Sequence, residues 1–298
     1  MQGYVWRARR ELNPDLRLRR PASYPLDHGR IIRKNSIFKY RTFAARLQVA
    51  KSGAAKSVAE IDAENGGEGG SGMAAALHIL YAALYAALAG YGLKLWRAER
   101  GGTDWRYLLL IVTAALIWDN AVLGLGSRIG AGPALKLLNE VRYWLHALAT
   151  PLLALVAVDL IRKAGAAWAA TAAARGAALL YTALLIGFEL FTSTFRLQLV
   201  PQMERGVLQY VDAGAKGAPW MVVFVMIPVT AAAYYLWKYR RSWAPAAGIA
   251  VMAAGSAAPA LGVPIGSGAW MNALELALTA GLWAAVGATA KSAGPAAA

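Results

Sequence analysis

A few polar side chains stand inside stretches of this chain that are otherwise almost wholly apolar: Asp119 and Asn120, Arg142, Tyr143 and His146, Glu189, and Asn272 and Glu275. Their types can do chemistry. An imidazole or a carboxylate serves as a general base, which makes His146, Glu275 and Asp119 the catalytic candidates. A guanidinium holds an anionic group through parallel hydrogen bonds, so Arg142 is a binding candidate, joined by Asn120, Tyr143, Glu189 and Asn272. Positions 139, 142, 143, 146 and 150 share one helical stripe, carrying Asn139, Arg142, Tyr143, His146 and Thr150. Pro151 follows, and its missing N–H leaves the carbonyl of Ala147 without a helical partner. In lipid that carbonyl needs a substitute, so the stripe is expected to face protein or water.

Composition defines the elements that must position these groups. Of 298 residues, 58% are hydrophobic and 16% charged, where a soluble domain averages about 45–50% apolar and about a quarter charged. From Met73 onward the chain divides into seven apolar runs: 73–96, 105–125, 141–161, 166–191, 219–237, 245–263 and 269–290. About 20 helical residues cross a hydrocarbon core of about 30 Å. The expected fold is therefore all-α, a polytopic integral membrane bundle of about seven transmembrane helices. The fourth run contains Arg175, which puts its core at 176–195 with the arginine snorkelling at the interface. The sixth, rich in Gly, Pro and Ala, is either a span or re-entrant; in the second case six spans remain. Residues 201–213 read as a short amphipathic helix with Met203, Val207, Tyr210 and Val211 on one face, either a plain interfacial connector or a lid.

Charge sets the expected orientation. With Met73 outside, eleven Lys/Arg flank the inner ends of the runs and six the outer ends, which places the N-terminus out and the C-terminus in. A multi-pass protein of the plasma membrane is expected. Helices two and four then end, and helices three and seven begin, in the outer half, which brings the candidate residues to one depth. Glu275 lies roughly 9 Å below Ala269 at 1.5 Å per residue, and ionisable groups that deep usually face the bundle interior. The inner half offers little beyond Asp159, an interfacial partner for Arg162 at i, i+3.

Residues 1–72 have a different composition from 73–298. They carry 14 Lys/Arg against 7 Asp/Glu, have no sustained apolar period, and end in the Gly-rich run "AENGGEGGSG". They read as a basic disordered tail. Three origins fit: an arm near anionic lipid, an Arg-rich targeting segment, or a start codon set too far upstream of Met73. The third is preferred, because Gly-Gly-Glu-Gly-Gly is what a purine-rich ribosome-binding site gives when translated in frame.

The net charge of +15 is split between this tail and the segment ends, a membrane pattern that argues against a nucleic-acid groove. With no Cys, thiolate nucleophiles, iron–sulfur clusters and CxxC zinc sites are excluded. Lysine midway along the last run, His-x3-His, Walker loops, GxSxG and HExxH are all missing. A divalent metal held by His146, Asp119, Glu189 and Glu275 has no supporting spacing, and no cofactor is named. The expected partners are the bilayer and a lipid or small-molecule ligand. Two function classes stay open. One is a lipid- or polyprenyl-modifying enzyme or binder with His146 or a carboxylate as base; the other is a solute or ion transporter or a seven-helix receptor-like protein.

Overall fold

A computed structural model describes residues 68–214, 220–257 and 268–291. The protein is a helical bundle. Six stretches are long and apolar enough to cross a membrane: Gly72–Ala98, Trp105–Ile129, Pro133–Ala164, Ala172–Arg196, Trp220–Arg240 and Gly268–Ala290. They contain α1 (Glu68–Ala98), α2 (Leu109–Ile129, entered by a 3-10 turn at Trp105–Leu108), α3 and α4 (Pro133–Ala149 and Leu152–Ala164), α5 (Ala172–Thr192), α6 (Trp220–Arg240) and α8 (Gly268–Lys291). α7 (Ala244–Ala257) is apolar but has only 14 residues, about 21 Å of helix against a core of about 30 Å. The rest of the expected sixth run, 258–263, lies outside the described residues, as do positions 1–67 of the tail.

The first five spans, α1 to α6, alternate in direction, and the short α7 returns the chain so that α8 runs parallel to α6; the bundle has two ends, a Met73 end, where α1 and α8 begin, and an opposite end. Ser127 meets Gly206, and Glu204 meets Gly268, at the first; Arg106 meets Thr289, and Arg240 meets Lys163, at the second. The apolar core lies toward the opposite end and is centred on α4, which is buried on nearly every side. Aromatic residues Trp168, Tyr234, Tyr235 and Tyr239 cluster there, at the level expected of a membrane-interface belt.

The third span is broken at Thr150–Pro151. α3 stops at Ala149, and α4 restarts with tight i to i−3 bonds from Leu153 N–H to the Thr150 carbonyl and from Ala154 N–H to the Pro151 carbonyl. Pro151 cannot donate, so the helical ladder skips a rung there.

Residues 201–213 are not an amphipathic helix. They belong to an antiparallel hairpin, β1 (Leu199–Glu204) and β2 (Val207–Asp212), with Glu204 opposite Val207. Arg205 (φ 49°) and Gly206 (φ 80°) form its two-residue loop. Positive φ at both loop positions is the geometry whose twist matches paired strands, and glycine adopts it without steric cost. Pro201 is tolerated because a two-stranded sheet leaves each strand an open edge.

Candidate functional site

Residues from three different helices, far apart in sequence, converge on one cleft of about 260 Å³. α2 contributes Asp119 with Val112, Ala115 and Leu116; α3 contributes Arg142, Tyr143 and His146, with Thr150 just past its end; α8 contributes Asn272 and Glu275. The spacing on each element is three or four, which is why one face of each helix is presented. At 1.5 Å per residue, Glu275 sits about 10 Å from the start of α8, within the hydrocarbon depth of a bilayer.

Arg142 is held from two sides. Its Nε donates to Asp119 Oδ1 at 2.7 Å and its Nη1 to Asn139 Oδ1 at 2.5 Å. Asn139 is fully buried and anchored in turn by its Nδ2 on the Leu135 carbonyl at 2.8 Å. His146 Nδ1 lies 3.3 Å from Thr150 Oγ1, leaving Nε2 without a partner among the described residues. His146 is exposed along the cleft although it lies far along its span.

The α8 side is different. Glu275 makes no hydrogen bond or ion pair among the described residues, and the charges that act on it are those of Asp119 and Arg142. Asn272 donates its Nδ2 to the Gly268 carbonyl at 3.1 Å, but its Oδ1 is buried with no hydrogen-bond partner. Buried polar atoms are rarely left so, because each lost hydrogen bond costs about 1–3 kcal/mol. The cleft thus presents unspent acceptors on α8, the His146 Nε2, and one unspent donor edge, Arg142 Nη2.

The hairpin lies across the Met73 end of the helices that line this cleft. It is tied to each of the three lining helices: Ser127 of α2 accepts from Leu208 N–H at 2.9 Å and donates to the Gly206 carbonyl; the Tyr143 hydroxyl accepts from Asp212 N–H at 3.2 Å; Glu204 accepts from Gly268 N–H at 2.9 Å. A carboxylate on the first N–H of α8 also satisfies one of the orphan donors of that helix end. Leu135, Val122, Leu208 and Tyr210 form an apolar cluster there. Farther along α8 stands Trp283, fully buried, whose indole N–H donates to Thr113 at 3.0 Å.

Two candidates lie elsewhere. Asn120 is fully buried on another face of α2, its Oδ1 3.1 Å from His78 Nδ1 and its Nδ2 on the Leu116 carbonyl. It fastens α1 to α2. Glu189 is half-buried on α5, outside the cleft lining, and its charge acts on His146. Among the described residues no group of three His, Asp or Glu is placed to hold a metal ion. Compared with known protein families, curated proteins and solved structures, the chain matches none.

The opposite end holds far more than the expected Asp159–Arg162 pair. Arg162 does bond Asp159 at 2.8 Å, but Asp104 joins it, bridged to Arg162 at 2.7 Å and to Lys163 at 2.6 Å. Arg106, 1% exposed, pairs with Glu99 and Asp104 and donates to Thr289 at 2.8 Å. Burial opposes the charge on Asp104, but the hydrogen bonds and charges of Lys163 and Arg162, with the charge of Arg106, outweigh it and hold its carboxyl below the usual range. The sequence signal was the pair of charges flanking Trp105, at 104 and 106.

Proposed function

We propose that this membrane protein draws the polar head group of an amphiphile from the bilayer into the cleft of α2, α3 and α8, with the Met73 end of the bundle outside. The carrying observation is a set of polar groups without partners gathered at membrane depth: Glu275 and Asn272 Oδ1 on α8 share a cleft with Asp119, Arg142 and His146. At that depth a ligand that itself resides in the bilayer can reach them. About 260 Å³ falls just below the range of roughly 300–1,000 Å³ that holds whole drug-sized ligands, so the cleft fits a head group while the chain stays in the membrane.

The unspent groups suggest which head group. Glu275 and Asn272 Oδ1 accept, and His146 Nε2 accepts or donates according to its tautomer, so a hydroxyl or amine satisfies them; Arg142 Nη2 supports an oxygen beside it. In a modifying reaction Glu275 is the base that takes the proton from such a hydroxyl, with His146 facing it across the cleft. Buried polar groups farther along α8, Thr279 and Thr289, favour transport as a second reading; the fully buried Trp283 between them favours the first.

The test is mass spectrometry of lipids that co-purify with the wild type, Glu275→Gln and His146→Asn. The wild type is expected to retain a hydroxyl- or amine-bearing lipid that Glu275→Gln loses while remaining monodisperse. Identical lipid profiles in all three proteins would overturn the proposal.

A further inference from the structure

We infer that a second site, at the opposite end of the bundle, binds a phosphate-bearing group between Arg162 and Arg175. A cavity of about 240 Å³ lies there, lined by both arginines together with Thr103, Asp104, Trp105 and Asp159. At about 30 Å³ per water in the liquid, that is room for roughly eight waters, ample for a phosphate and the atoms attached to it.

The hydrogen-bond inventory of the lining gives the sign of the ligand. Two aspartates would repel an anion if their oxygens were open, and they are not. Asp104 Oδ1 accepts from Arg162 at 2.7 Å, and its Oδ2 from Lys163 at 2.6 Å and Arg106 at 3.3 Å. Asp159 Oδ1 accepts from Arg162 Nε at 2.8 Å, and its Oδ2 from the Arg106 backbone N–H at 3.1 Å. Every carboxylate oxygen facing this cavity therefore already accepts at least one hydrogen bond.

The donors are not. Arg175 is exposed and makes no hydrogen bond or ion pair among the described residues. Arg162 uses Nε and Nη2, which leaves Nη1; the Trp105 indole N–H and the Thr103 hydroxyl are also unspent. In charge, Arg106, Arg162, Lys163 and Arg175 face Glu99, Asp104 and Asp159, so one positive charge is left over, and it belongs to Arg175. A cavity with filled acceptors, free guanidinium donors and a surplus cation fits an oxyanion, and guanidinium suits phosphate through its planar fork.

The geometry leaves two sources of that phosphate, a phospholipid head group in the adjacent leaflet or a free phosphate in water. Native mass spectrometry of the full chain in detergent separates them. Delipidated protein is supplied with phosphatidylglycerol, with diacylglycerol as its phosphate-free control, or with inorganic phosphate as competitor. The wild type is expected to retain phosphatidylglycerol and not diacylglycerol, and Arg175→Gln to bind it about tenfold more weakly, the equivalent of one charge-assisted contact, with Arg175→Lys between them. Displacement of the lipid by millimolar inorganic phosphate identifies the free ion as the ligand, and resistance to displacement identifies the lipid. Equal retention by the wild type and Arg175→Gln, or equal binding of diacylglycerol, would overturn the site.

Discussion

Arg142 faces two carboxylates across one cleft and bonds only one of them: its Nε reaches Asp119 at 2.7 Å, while Glu275 is left without a hydrogen bond. Removing each acid should therefore have opposite consequences. Asp119→Ala takes away a charge-assisted hydrogen bond at a pair that is 14% and 26% exposed, and is expected to cost about 2 kcal/mol. Glu275→Gln replaces a carboxyl without a partner at membrane depth by a neutral group of the same shape, and is expected to be neutral or stabilising. In the Asp119→Ala background Arg142 has Glu275 as its remaining acid, so adding Glu275→Gln there should destabilise. Denaturant unfolding in detergent of the four proteins measures this coupling. A Glu275→Gln variant as unstable as Asp119→Ala would show that Glu275 is bonded after all.

The hairpin makes a second relationship testable. Gly126 lies so close to it that an added Cβ would fall 1.9 Å from the Leu208 carbonyl oxygen. Gly126→Ala must push β2 off α2, and Ser127→Ala, a gentler change, removes two hydrogen bonds worth about 1 kcal/mol each. Since the chain has no cysteine, Thr150→Cys supplies a lone thiol in the cleft. Membrane-impermeant maleimide applied at the Met73 end should label it slowly in the otherwise native chain and several-fold faster with either second substitution. Fast labelling without them would mean the hairpin does not cover the cleft.

The bundle itself was legible because apolar runs of bilayer length have few other uses, and the cleft was legible because Asp119, His146 and Glu275 had no apolar explanation. The hairpin was not. In 201–213 the apolar residues Met203, Val207, Tyr210 and Val211 satisfy a helical period, and only the Arg205-Gly206 pair, read as a turn, points to strands. The network at the opposite end was hidden for another reason: Arg106 and Asp159 are 53 residues apart. Charges at helix ends read as solvated flanks until the topology brings them together. Asn120 misled in the reverse sense, being adjacent to Asp119 but about 100° around the helix from it.

Asp104 predicts a pH dependence. Its folded carboxyl is held below the ordinary value, so it contributes stability that is present above about pH 4, the unfolded carboxylate range, and is lost as pH falls through its lower folded value. Thermal midpoints in detergent should therefore separate wild type from Asp104→Asn at pH 7 and converge in strong acid. A gap that stays constant down to pH 3 and below would place the effect elsewhere.

The proposed orientation rests on eleven basic residues flanking one side and six the other. A reporter fused after Ala298 is expected to read out from the cytoplasm. Activity of an exported reporter at the same position would invert the bundle, and with it the side on which the hairpin lies.

Trp283 decides between the two functional readings. Its ring fills the seam between α1 and α8, so close that a Cβ on Gly92 would come within 2.2 Å of it, and its N–H is spent on Thr113. An indole N–H donates but does not accept, so the ring itself cannot relay a proton along α8. Trp283→Phe keeps most of the ring and loses one hydrogen bond, about 1 kcal/mol. Trp283→Ala removes the ring and leaves a core cavity costing about 3–5 kcal/mol. A lone thiol from Thr279→Cys, below Glu275, should resist impermeant maleimide from the end opposite Met73 in the native and Trp283→Phe backgrounds and react in Trp283→Ala. Reaction in the native background would show a continuous path across the bundle, and the transport reading would replace the head-group one.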